Sequence, residues 1–129
     1  MPVEVAALGW ALVVAFGQFV LMAIVVNLRI GPGYTAGPRD ERREIPGVAG
    51  RLHRALTNMF EALVLFTGAV VLVTLGEASS ALTQDCARVF VFARLAYVPA
   101  YASGIWGLRS AVWAVGFGAT AIMVFAALL

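Results

Sequence analysis

Two short stretches of this chain carry side chains able to do chemistry. Residues 51–61 read RLHRALTNMFE, residues 93–101 read ARLAYVPAY, and Arg109 follows shortly after. An α-helix turns by about 100° per residue, so Arg51, Arg54, Asn58 and Glu61 fall within about 80° of each other on one stripe. His53 lies about 100° from Arg54 and off that stripe. Arg94, Tyr97 and Tyr101 fall within about 60° on a second stripe. The candidate arginines outnumber the single carboxylate, Glu61. A surplus of guanidinium suits a ligand bearing carboxylates, because the planar fork grips them bidentately. The two tyrosines add hydroxyl donors. A plainer reading stands beside this one: a structural polar cluster in which Glu61 neutralises one arginine and Asn58 bridges helices.

The elements that must position these stripes are apolar. Hydrophobic residues make up 62% of the 129, and charged residues only 12%, against roughly 25% in a soluble domain. Mean hydropathy is +0.93. One membrane span needs roughly 20 apolar residues, so the composition supports about four spans in one domain and argues against a soluble globule. The expected spans cover about 3–28, 51–75, 81–103 and 108–129. Pro2 suits the first turn of span one. Residues 30–50 hold three of the five prolines and five of the thirteen glycines, and are expected as a loop too polar for hydrocarbon. Span two starts polar, so its first turns should project from the bilayer or line a wet cleft. Gly76–Ser80 is a short turn, and Gly104–Gly107 breaks span three from span four. The class expected is an all-α, four-helix transmembrane bundle.

An arginine at the centre of a span costs about 2.5–3.5 kcal/mol even on the lenient insertion scale. Arg54, Glu61 and Arg94 must therefore face one another, a neighbouring chain or water. All nine basic residues are arginines. Arg29, Arg39, Arg42, Arg43, Arg51, Arg54 and Arg109 gather at one end, and Glu4, Glu77, Asp85 and Arg88 lie at the other. The positive-inside rule then places the first loop in the cytoplasm and both termini outside. The all-arginine bias fits a GC-rich, bacterial genome, so the membrane expected is the inner one and the outer side the periplasm. The N-terminus lacks a basic region and carries Glu4, so span one reads as retained rather than cleaved. There is no long basic run to serve nucleic acid.

In their order and spacing, R-x-x-R-x-x-x-N-x-x-E followed by R-x-x-Y-x-x-x-Y and then Arg109 resemble the membrane-associated proteins in eicosanoid and glutathione metabolism (MAPEG). The likeness extends over nearly the whole chain. It implies a homotrimer in membrane lipid that binds glutathione between neighbouring protomers near the cytoplasmic face. By motif position, it implies that Arg54, Asn58 and Glu61 hold the peptide and that Arg94, Tyr97 and Tyr101 complete the pocket. Arg51 and Arg29 are then peripheral anion contacts, and Arg109 stands near the sulfur. Glutathione is the implied co-substrate, with no metal and no haem. A free thiol has a pKa near 8.5, which nearby cations lower, so Arg109 would favour the thiolate. The chain departs from the pattern at Ala62-Leu63-Val64, where several members carry an aromatic residue and a proline, so span two should run on unkinked.

The leading expectation is a glutathione-dependent membrane transferase or peroxidase acting on lipophilic electrophiles or lipid hydroperoxides. The alternative is a non-catalytic membrane protein of the same fold that binds an anionic or lipid ligand. A drug–proton antiporter needs a carboxylate inside span one, where this chain has Gln18. A lone cysteine, Cys86, excludes an internal disulfide and a quinone–thiol oxidoreductase; it reads as a small buried residue. Pro99 should kink span three. Trp10, Trp106 and Trp113 sit toward span ends, as interfacial anchors do, and Gly116, Gly118 and Thr120 offer a small-residue packing surface. His53 reads as solvated or interfacial.

Overall fold

A computed structural model describes residues 1–29, 47–105 and 107–129. Most of the first loop, including the mixed-charge run 39–44, and Trp106 lie outside the described residues. Four helices form among those described: α1 (Val3–Arg29), α2 (Gly47–Leu75), α3 (Ala81–Ser103) and α4 (Leu108–Leu128). Three of them, over Val3–Leu28, Gly50–Leu75 and Leu108–Leu128, are long and apolar enough to cross a membrane. The remaining helix, α3, has the length but carries Gln84, Asp85, Arg88 and Arg94.

One boundary differs from the sequence reading. Residues 47–50, expected in the loop, open α2. Val48 and Ala49 offer nothing that stops a helix, and each added residue gains a backbone hydrogen bond once a nucleus exists. Elsewhere local chemistry ends the helices. Glu77 takes a left-handed turn at φ 52° after α2. Ser80 opens α3 with a reciprocal cap: its hydroxyl accepts from the Thr83 N–H, and its own N–H donates to the Thr83 hydroxyl. Gly104 closes α3 at φ 71°, a conformation that costs glycine little. Pro99 lies within α3, which continues to Ser103.

The bundle has a centre and two flanks. α2 and α3 pack together, α1 lies against one side of the pair, α4 against the other, and among the described residues α1 and α4 do not meet. Ala7, Ala11 and Ala15 recur on one face of α1 and are buried, which lets its backbone approach α2 and α3 closely. At the centre Phe66 of α2 stacks on Phe90 of α3, with ring centroids 3.9 Å apart. Met59, Val73 and Met123 complete the buried core. Phe16, Ile24, Val64, Phe92, Phe117 and Phe125 point outward and are exposed, an apolar exterior that suits lipid.

At the end opposite the arginines, α1 is pinned to α3 by a carboxylate. Glu4 is 1% exposed. Its Oε2 accepts from the Ser79 hydroxyl at 2.7 Å and the Thr83 hydroxyl at 2.8 Å. The carboxylate also sits in the first turn of α1 and beside the N-terminus of α3, where helix dipoles favour negative charge. Replacing Glu4 by alanine should lower stability by about 2 kcal/mol, the scale of losing charge-assisted bonds at a buried site. Thermal melting in detergent would read this, and Glu4→Gln should lose less. A melting curve unmoved by Glu4→Ala would show that the clasp contributes nothing.

Candidate functional site

The two polar stripes meet within one chain. Because α2 and α3 run antiparallel, their side chains pair as successive rungs. Arg51 donates from Nη1 to the Ala102 carbonyl at 3.3 Å. One turn on, Arg54 donates from Nε to the Tyr101 hydroxyl at 3.2 Å. A turn further, Arg94 donates from Nη1 to Asn58 Oδ1 at 2.8 Å and from Nε to Met59 Sδ at 3.2 Å. The Arg94 guanidinium lies 4.1 Å from the centre of the Tyr97 ring. From α4, Arg109 sits 4.9 Å from the centre of the Tyr101 ring. Tyr101 is thereby held between two cations, with Arg54 at its hydroxyl and Arg109 over its face. Such contacts orient guanidinium groups without neutralising them.

The turn at Gly104 makes room for the outermost rung. A Cβ there would stand 3.1 Å from Arg51 Cζ, so glycine serves both the left-handed backbone and the close approach of the guanidinium.

Arg94 is 2% exposed, and its Nη2 is buried without a hydrogen-bond partner. Among the described residues the one ion pair is Arg88–Asp85, at the other end of the bundle. Glu61 therefore does not neutralise an arginine, as the plain structural reading expects. Glu61 is instead exposed and borders the same hollow as Arg94. A buried guanidinium without a carboxylate is costly, and the arrangement leaves an excess of positive charge along the seam.

Three adjoining hollows follow the rungs. The outermost, about 580 Å³, is bordered by Arg51, Arg54, Tyr101, Arg109 and Ser110. The next, about 190 Å³, lies between Asn58, Tyr97, Arg109, Ser110 and Trp113. The innermost, about 90 Å³, runs from Asn58, Glu61 and Arg94 to Phe90, Phe117 and Thr120. Arg109 and Ser110 are shared by the first two, Asn58 and Trp113 by the last two. The groove thus passes from guanidinium and hydroxyl walls to aromatic ones. Eight of the residues singled out by motif are accounted for: Arg51, Arg54, Asn58, Glu61, Arg94, Tyr97, Tyr101 and Arg109 all border it or bond across it. Arg29 ends α1, and its side chain lies outside the described residues.

Ser110, Trp113 and Met59 border the groove or contact its residues without having been expected from sequence. The position of Ser110 directly after Arg109 was the available signal. Trp113 reads as an interfacial anchor, and nothing in the sequence pattern marks Met59. His53 is exposed and apart. Among the described residues no cluster of His, Cys, Asp and Glu is suited to hold a metal ion.

A helical bundle with an apolar exterior, three of its helices long and apolar enough to cross a membrane, is an integral membrane protein, and a guanidinium-rich groove runs between α2, α3 and α4. The chain belongs to the MAPEG family, whose model matches residues 7–129. Membership places it among the membrane proteins of glutathione and eicosanoid metabolism. A search of curated proteins finds no match.

Proposed function

We propose that this protein binds glutathione in the α2–α3–α4 groove and uses its thiol on lipophilic electrophiles, as a transferase, or on lipid hydroperoxides, as a peroxidase. The observation that carries the reading is the imbalance of charge along the seam. Arg51, Arg54, Arg94 and Arg109 line the hollows with one carboxylate, Glu61, among them, and a buried N–H of Arg94 is left without an acceptor. Glutathione supplies what is missing: two carboxylates for the guanidinium groups and one amine for Glu61. The fit is chemical and residue by residue. Arg54 and Arg51 line the wide outer hollow, where a carboxylate exchanges for the Tyr101 hydroxyl and the Ala102 carbonyl. Asn58 and Arg94 hold the deeper part. Arg109, with Ser110 beside it, lies at the junction of the hollows and favours the thiolate form of the nucleophile. In transfer, the thiolate sulfur forms a bond to the electrophilic carbon as its leaving group departs. The aromatic inner hollow, open toward lipid-facing Leu65 and Phe117, suits the lipophilic partner.

The same reading includes a homotrimer in a bacterial inner membrane, with the arginine-rich end cytoplasmic and both termini periplasmic. It is supported by the family membership and by the gathering of seven of the nine arginines at one end.

The test is a calorimetric titration of detergent-purified protein with glutathione. Arg54→Ala should weaken binding about tenfold, the scale of one charge-assisted contact. Tyr101→Phe, which removes only a hydroxyl already engaged by Arg54, should change affinity far less. Unchanged affinity in Arg54→Ala would take Arg54 out of the pocket. Binding without the ultraviolet absorbance of a thiolate, followed in a parallel titration, would point to the non-catalytic alternative.

A further inference from the structure

On the flank away from the arginine groove, α1 and α3 enclose a second hollow of about 580 Å³. Ala6, Trp10 and Val13 of α1 face Val91 and Phe92 of α3, and the one charged residue in its wall is Arg88. The Glu4–Thr83 bond fixes the register of the two helices, which run in the same direction. Val3 to Val14 spans about 16 Å at 1.5 Å per residue, close to one leaflet of a hydrocarbon core about 30 Å thick. The 26-residue apolar stretch of α1 is about 39 Å long, about 9 Å more than that core. Arg88, five residues beyond Thr83, comes about 7 Å further along, at the polar end of the α3 wall that Val91, Phe92 and Leu95 continue.

The mouth of the groove carries both signs of charge. Arg88 Nη1 donates to Asp85 Oδ1 at 3.0 Å, and the two side chains are 53% and 71% exposed. An exposed pair of this kind is held together weakly and is open to competition from other ions. With the Glu4 carboxylate also close by, the mouth is not net positive, and an anionic headgroup gains little there. A headgroup with a phosphate and a primary ammonium matches both members of the pair. We infer that this groove holds an acyl chain of a phosphatidylethanolamine-type lipid, its phosphate on the free N–H groups of Arg88 and its ammonium donating to Asp85. A choline headgroup lacks those N–H donors and a glycerol headgroup lacks the cation.

The experiment is native mass spectrometry of delipidated protein offered equal amounts of dioleoyl phosphatidylethanolamine, phosphatidylcholine and phosphatidylglycerol, without glutathione. The expected result is about two- to fivefold more retained ethanolamine lipid than either competitor, the scale of one exposed charged contact. Arg88→Gln and Asp85→Asn, both at exposed positions, should each erase the preference. Val13→Trp, which fills the groove from an exposed position, should reduce retention of all three lipids. Equal retention of the three, or a preference for the glycerol headgroup, would overturn the inference. So would a Trp10→Cys variant on a Cys86→Ala background that forms a disulfide dimer in high yield in liposomes, since a second copy would then cover the groove.

Discussion

Replacing Arg94 by methionine should raise the melting temperature of ligand-free protein while abolishing its response to glutathione. The two effects share one cause. Arg94 is buried in the bundle with no carboxylate against it among the described residues, and one of its nitrogens has no partner. Exchanging a buried ionic group for an apolar one of similar length is often neutral or stabilising, by about 1–4 kcal/mol. Methionine also suits the contact with Met59, and the half-buried Asn58 can turn to water in the adjoining hollow. Binding should suffer in proportion, because losing a buried charged contact costs about 2–5 kcal/mol, or from about thirtyfold to several thousandfold in affinity. Melting curves with and without saturating glutathione, on wild type and variant, read both effects together. A variant that melts lower and still gains stability from glutathione would show that Arg94 is a structural strut.

Arg109→Ala should separate binding from chemistry. Arg109 borders the two hollows from α4 and lies over the Tyr101 ring, so the peptide contacts of α2 and α3 survive its removal. The ultraviolet thiolate band of bound glutathione should disappear at neutral pH, with affinity changed by less than a few fold. Turnover should fall by about 10²–10³, the effect of deleting one group that stabilises developing negative charge. Arg109→Lys should restore part of the band, since it keeps the charge and loses only the fork. Persistence of the band in Arg109→Ala would shift thiol activation to another group, with Ser110→Ala as the next variant.

The four-helix architecture was legible because apolar run length and polar interruption are local properties. The pairing of Arg54 with Tyr101 and of Asn58 with Arg94 was partly legible, since helical period places each set on one stripe and cost forbids leaving either in lipid. What the stripes do on meeting was less so. Glu61 was the natural counter-ion for an arginine, yet Arg94 chose an amide, a thioether and a ring. That choice depends on the rotation of α2 against α3, which no single-helix pattern contains. The Glu4 clasp was invisible for a similar reason, because its partners lie 75 and 79 positions away and serine–threonine turns are common. The start of α2 at Gly47 was missed because Gly47 and Gly50 counted with the proline- and glycine-rich loop before them, although the chain there is already helical.

The composition of α3 bears on how the protein is made. With Asp85, Arg88 and Arg94 along its length, α3 is a poor candidate to leave the translocon for lipid by itself. Its central guanidinium becomes tolerable only where Asn58, Met59 and the Tyr97 ring enclose it, and two of those three belong to α2. Biogenesis therefore has to deliver α2 and α3 to the bilayer as a hairpin already in register, so that the polar seam is shut before hydrocarbon reaches it.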